Sequence, residues 1–131
     1  RARYAYAFRS LLDRGTALAF GSDAPVAPLN PMLGIHAAVT RQDETNQPAG
    51  GWYPAERLTV AEAIEGYTLG PARLSGKADR FGSLVPGKYA DVVVLSRNLF
   101  DIDPAGIPAT RVWSTIFNGR VVYEEDMARI F

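Results

Sequence analysis

Cysteine is absent from the 131 residues, and histidine occurs once, at position 36. The first absence excludes a disulfide framework and any thiolate metal site. The second means that this stretch alone cannot complete a transition-metal centre, which draws three or four ligands mostly from His and Cys. A surplus of one charge is missing as well, since 14 basic and 14 acidic residues cancel and like charges do not cluster. Sequence-independent binding to nucleic acid or to an anionic membrane surface is therefore not expected. No apolar run reaches the length of a membrane span, and no secretory leader pattern is present, which leads to the expectation of a cytoplasmic protein. An initiator methionine is also lacking. The chain opens on Arg1-Ala2-Arg3, already in a helical pattern, and reads as a fragment of something longer.

What is present suits a soluble globular fold with one core: 47% hydrophobic residues, 21% charged residues and a mean hydropathy of −0.06. Tyr4, Phe8, Leu11 and Leu12 fall on one helical face, and Gly15 suits a helix stop. Residues 16–20 form an unbroken apolar run and read as a strand buried on both faces, as in parallel sheets. Asn30 followed by Pro31 opens a second helix, with Met32, Ile35, His36 and Val39 on one face. Residues 42–58 form a long polar loop containing Trp52 and Tyr53. Thr59 and Glu62 fit a capping box that starts a third helix, running to about Leu69, where Gly70-Pro71 interrupts it. From Phe81 onward the pattern turns to β. Val92 to Leu95 is an apolar strand, and residues 111–117 and 120–123 flank Asn118-Gly119, a two-residue hairpin signal.

Three positions bear on chemistry. Asp23 ends the 16–20 strand, where α/β folds gather their functional side chains, so it can ligate a metal or accept a proton; it can equally cap the following turn. His36 sits on an apolar helix face and is expected to be a hydrogen-bonded core histidine. Trp52 and Tyr53 can contact a substrate from the long loop or pack that loop down. "GSDAP" is not the elbow of a serine nucleophile. Asp91 reads as a turn residue, and Asp101 and Asp103 lack the spacing of a calcium loop.

Five segments, "GTALAFGSDAPV", "NPMLGIHAAVTR", "RLTVAEAIEGYTLGPARLSG", "GSLVPGKYADVVVLS" and "TRVWSTIFNGRVVYE", occur in an order that resembles the C-terminal part of metal-dependent amidohydrolases, nearest the amidohydrolase-3 (YtcJ-like) branch. The resemblance implies an α/β fold: residues 1–78 as the last units of a (β/α)8 TIM-type barrel, and residues 79–131 as the C-terminal part of a small β-sandwich. It implies that residues 16–20 are the eighth barrel strand. Asp23 then matches the aspartate that ligates a divalent metal, zinc being the first choice, and takes a proton from the hydrolytic water. Ser22, Ala24 and Pro25 would shape the rim.

The family's H-x-H pair, its bridging lysine or acidic residue and its mid-barrel histidines are not in this sequence, and His36 matches none of them. The expectation is thus part of a hydrolase acting on C–N bonds of small amide-type molecules, other than peptide bonds. By itself it would be inactive and would hold no metal tightly. Exposed edges would favour self-association or a homo-oligomer. The alternative is a non-catalytic α+β binding or assembly module.

Overall fold

The computed structural model describes residues 2–126; of the segment 79–131 read above, residues 127–131 lie outside the described residues, as does Arg1. Four short helices precede a three-stranded sheet: α1 (Phe8–Leu12), α2 (Pro31–Thr40), α3 (Val60–Tyr67), α4 (Leu69–Leu74), β1 (Val92–Leu95), β2 (Val112–Phe117) and β3 (Arg120–Glu124). Short 3-10 turns lie at Ala2–Tyr4, Pro54–Glu56 and Pro104–Ala109. No helix among the described residues is long and apolar enough to cross a membrane.

The amphipathic helix expected to run from Tyr4 through Leu12 is shorter than its pattern. Tyr6 adopts a left-handed φ of 53°, which breaks the helical path, so that Tyr4 is exposed and α1 begins at Phe8. Phe8 and Leu12 still pack on the core. The break leaves the Tyr6 carbonyl accessible to an arginine described below.

The expected strand at 16–20 does not form. Among the described residues no strand runs beside it, and a strand without a neighbour has no ladder to satisfy its backbone. The segment is held instead by two single bonds, Thr16 N–H to the Leu11 carbonyl (3.0 Å) and Phe20 N–H to the Gly66 carbonyl (2.8 Å). Burial on both faces is not seen either: Leu18 and Phe20 turn toward the core, while Ala17 and Ala19 are exposed. The run passes so close to α4 that a Cβ on Gly70 would stand 2.1 Å from the Leu18 carbonyl oxygen, so this position requires glycine.

The other helix signals act locally, as their chemistry dictates. The Asn30 side chain accepts from Met32 N–H (3.0 Å), with Pro31 in the first turn, where its missing N–H costs nothing. Thr59 and Glu62 exchange both bonds of a capping box. The helix break falls at Thr68, ahead of the expected Gly70-Pro71. Both of those residues lie in the first turn of α4, where proline is tolerated because donors there are free anyway.

Met32, Ile35, Ala38, Leu58, Ala63, Leu99 and Ile107 form the buried core. Leu99 and Ile107 come from beyond β1, and Ile107 is wholly buried, so the Pro104–Ala109 turn seats the C-terminal part of the chain on α2. The sheet is antiparallel in the order β1-β2-β3, with bulges in both ladders. Asn118 and Gly119 have φ of 48° and 74°, as a tight hairpin turn of this hand requires. Asp91 accepts from Asn118 N–H (2.8 Å), the turn-residue role read from the sequence.

Candidate active site

Asp23 lies in a turn at residues 23–26 that the backbone builds without help from its side chain. Val26 N–H donates to the Asp23 carbonyl (2.9 Å), and Ala27 N–H to the Ser22 carbonyl (3.1 Å). The residue takes a left-handed φ of 49°, which aspartate tolerates better than most side chains. Its carboxylate is exposed and accepts no hydrogen bond among the described residues, so turn capping does not account for it. A free carboxylate is a suitable hard-oxygen ligand for a divalent cation. It is a single one: among the described residues no three His, Asp or Glu side chains come together as a metal site.

His36 is nearly fully buried at 1% exposure, and both ring nitrogens face backbone carbonyls. Nδ1 lies 3.0 Å from the Pro104 oxygen and Nε2 lies 2.9 Å from the Asp43 oxygen. The ring therefore ties α2 to the Pro104–Ala109 turn and to the loop that follows α2. It is the hydrogen-bonded core histidine expected from its helix face, not a ligand. Asp101 and Asp103 are loop residues: the first accepts from Asn98, and the second caps the Pro104–Ala109 turn through Ala105 N–H (2.9 Å).

Arg41, to which the sequence pattern assigns no role, organises the region around Trp52. Arg41 closes α2 in a left-handed conformation (φ 62°) where glycine is the usual choice, and it is 8% exposed. Its Nε donates to the Trp52 carbonyl (3.0 Å) and its Nη1 to the Tyr6 carbonyl (2.9 Å). Its Nη2 is buried with no acceptor. The guanidinium carbon lies 5.0 Å from the Trp52 ring centre and 5.9 Å from that of Phe8. Burial pushes the Arg41 pKa down, with Glu56 acting against the shift. The only advance signal was an arginine where a helix-ending glycine belongs.

Beside Arg41 lies a cavity of about 440 Å³ walled by Tyr6, Phe8, Phe20, Trp52 and Tyr67. The rings meet edge-on or tilted, at 5.0 Å for Phe8–Phe20 and 5.6 Å for Phe20–Tyr67. Gly21 reaches its edge, two residues before Asp23, whereas Asp23 and Tyr53 do not line it. The structure thus brings Trp52, but not Tyr53, to a cavity. Tyr53 packs edge-on against Trp52 at 4.7 Å and is 41% exposed.

A family model described as the amidohydrolase family matches residues 1–123. The chain is 39% identical over 125 residues to YtcJ of Bacillus subtilis (strain 168), provisionally named an amidohydrolase; the match covers 95% of this chain and 24% of that protein. It is 33% identical over 116 residues to the N-substituted formamide deformylase of Arthrobacter pascens, covering 88% of this chain and 21% of the relative. Among solved structures, an amidohydrolase from Thermotoga maritima MSB8 superposes with a TM-score of 0.68 at 25% identity, over 92% of this chain and 26% of that one. The chain thus spans about a quarter of the length of the proteins it matches.

Proposed function

The chain belongs to the amidohydrolase family, and from that premise we propose that it is the part of a metal-dependent hydrolase that supplies the catalytic carboxylate, Asp23, for cleavage of non-peptide C–N bonds in small amide-type substrates. The observation that supports this reading is the Asp23 carboxylate itself, exposed and without a hydrogen-bond donor, on a turn whose backbone needs nothing from it. Residues 16–20 would serve as the last barrel strand once neighbouring strands complete the ladder, and β1–β3 as one share of a β-sandwich.

When bound, a divalent metal, zinc in the first instance, polarises the scissile carbonyl and makes water acidic enough to attack near neutral pH. Asp23 offers one oxygen as a ligand, and further ligands have to come from residues outside this group. Its other oxygen accepts the proton of the attacking water and passes it to the departing nitrogen, which leaves as the amine. The backbone turn at 23–26 holds the carboxylate in place. Trp52 and Tyr53 form a substrate-contacting edge.

The test is turnover of an N-substituted formamide by the natural polypeptide carrying this sequence, before and after Asp23→Asn. A loss of about 10²-fold or more is expected for removal of a general base that also ligates. Undiminished turnover would overturn the assignment. A second reading, a non-catalytic binding module, draws on the sheet, where Val93, Phe117, Val121, Val122 and Tyr123 are all exposed. An inert natural polypeptide whose metal content is unchanged by Asp23→Asn would favour it.

A further inference from the structure

Asparagine occurs at positions 30, 46, 98 and 118, and the fold treats these residues differently. An asparagine loses its side-chain nitrogen when the main-chain nitrogen of the following residue attacks the side-chain carbonyl carbon. That reaction needs an N–H to deprotonate, an unhindered nitrogen and a side chain that can swing toward it. Asn30 precedes Pro31, which has no N–H, and its oxygen is held by Met32 N–H at 3.0 Å. Asn46 precedes Gln47, whose N–H is engaged by the Asp43 carboxylate at 3.0 Å, and its own side-chain oxygen is buried. Asn98 donates to Asp101 at 2.6 Å, accepts from Phe100 N–H at 3.1 Å and precedes the bulky Leu99. Asn118 stands apart. It is exposed, its side chain has no hydrogen-bond partner among the described residues, and Gly119 offers a nitrogen with no Cβ beside it. The restraint on this pair comes from the segment just ahead of β1. Gly119 N–H donates to the Ala90 carbonyl at 3.0 Å, and Asn118 N–H to the Asp91 carboxylate at 2.8 Å.

We propose that Asn118 is a site of spontaneous deamidation, and that Ala90-Asp91 sets its rate by holding the turn closed. In the closed turn the Gly119 N–H is committed to Ala90, so the nitrogen is not free to attack. Local opening releases it. Hydroxide then takes the Gly119 proton, the nitrogen forms a bond to Asn118 Cγ, and the Cγ–Nδ2 bond breaks. The departing nitrogen takes a proton from water and leaves as ammonia. Water opens the resulting succinimide ring at either carbonyl, leaving aspartate or isoaspartate at position 118. Isoaspartate inserts an extra main-chain carbon into the turn, against the Phe117–Arg120 pairing that begins the β2–β3 ladder. The proposal rests on the hairpin and on no part of the hydrolase reading.

The experiment holds the natural polypeptide carrying this sequence in mildly alkaline buffer, folded and in urea, and digests samples at intervals. Mass spectrometry of the peptide containing residue 118 follows the conversion, and enzymatic methylation of isoaspartate is a second readout. That peptide is expected to convert in both states, roughly tenfold more slowly in the folded protein, the factor that two ordinary hydrogen bonds impose on opening. Peptides containing Asn30, Asn46 and Asn98 are expected to lag far behind. Asp91→Ala removes one of the two ties and should speed the folded reaction about threefold while leaving the rate in urea unchanged. Gly119→Ala, which meets no atom within 4 Å, should slow the reaction in both states by crowding the attacking nitrogen. Equal rates at Asn118 in folded protein and in urea would overturn the inference. So would faster conversion at Asn30, Asn46 or Asn98, an undiminished rate in Gly119→Ala, or an unchanged rate in Asp91→Ala that is folded by circular dichroism.

Discussion

Residues 8–74 and residues 92–124 hold their backbones in different ways. In the helical body side chains reach across to main-chain groups: Arg41 to Tyr6 and Trp52, Arg57 to Thr40 and Gly50, Glu56 to Ser10, and His36 to Asp43. Most of the buried core lies there too. In the sheet the main chain pairs with itself through two antiparallel ladders, yet no residue of β1, β2 or β3 is fully buried. The body shows that a segment such as 16–20, which lacks the ladder its sequence calls for, can be held by single main-chain bonds and by packing of Leu18 and Phe20 on the core. The sheet shows that a complete ladder does not by itself bury an apolar face. Among the described residues it is attached through the Pro104–Ala109 turn, by Ile107 and the bond between His36 and the Pro104 carbonyl, and through Leu95 and Leu99, which pack on the core.

The contrast can be broken at two glycines. Gly70→Ala should cost about 3 kcal/mol in the body, since the new Cβ would meet main chain that cannot rotate away. Gly119→Ala in the hairpin meets no atom within 4 Å and should cost only the left-handed backbone penalty, about 1 kcal/mol. Urea midpoints of the two variants measure the difference; equal losses would mean that close approach does not distinguish the body.

Acid should sharpen the same contrast. Arg9, with Thr59, holds the Glu62 carboxyl down to about 2 from its ordinary 4.5. Because the folded value lies below the unfolded one, this pairing contributes stability above about pH 4.5, and the contribution fades as pH falls from there toward 2. Glu56 and Asp43 shift in the same direction through their own donors. Both partners of the Arg9–Glu62 pair are about a third exposed, so solvent screening keeps the effect small. Glu62→Gln should flatten the acid limb of a stability–pH curve, and an unchanged limb would remove the pair from the account. At the smallest end, Asp23→Asn should leave the unfolding midpoint within about 0.5 kcal/mol, because the carboxylate holds nothing in place.

Much of this was legible in the sequence where the chemistry is local. Asn30-Pro31, the Thr59–Glu62 box and Asn118-Gly119 act within four residues of themselves, and each lies where its spacing put it. Signals that depend on distant neighbours were read less well. Residues 16–20 carry the composition of a strand, but strand formation belongs to a pair of segments. The Tyr4-to-Leu12 periodicity gave no sign that Tyr6 would turn left-handed and free its carbonyl for Arg41. Arg41 was illegible for a related reason: its partners are main-chain carbonyls 11 and 35 residues away, and a carbonyl leaves no mark in the sequence.

One oxygen described above also sets an order in time. Glu62 Oε2 accepts from Thr59 N–H and Thr59 Oγ1, both at 2.8 Å and three residues away, and from Arg9, 53 residues away. Local turns close in well under a microsecond, whereas a contact across so long a loop waits for the chain to collapse. The carboxylate is therefore engaged first as the opening of a helix and only later as a tie between distant parts. Removing its local donor acts on how fast the chain folds. Removing its distant donor acts on how long the folded state lasts.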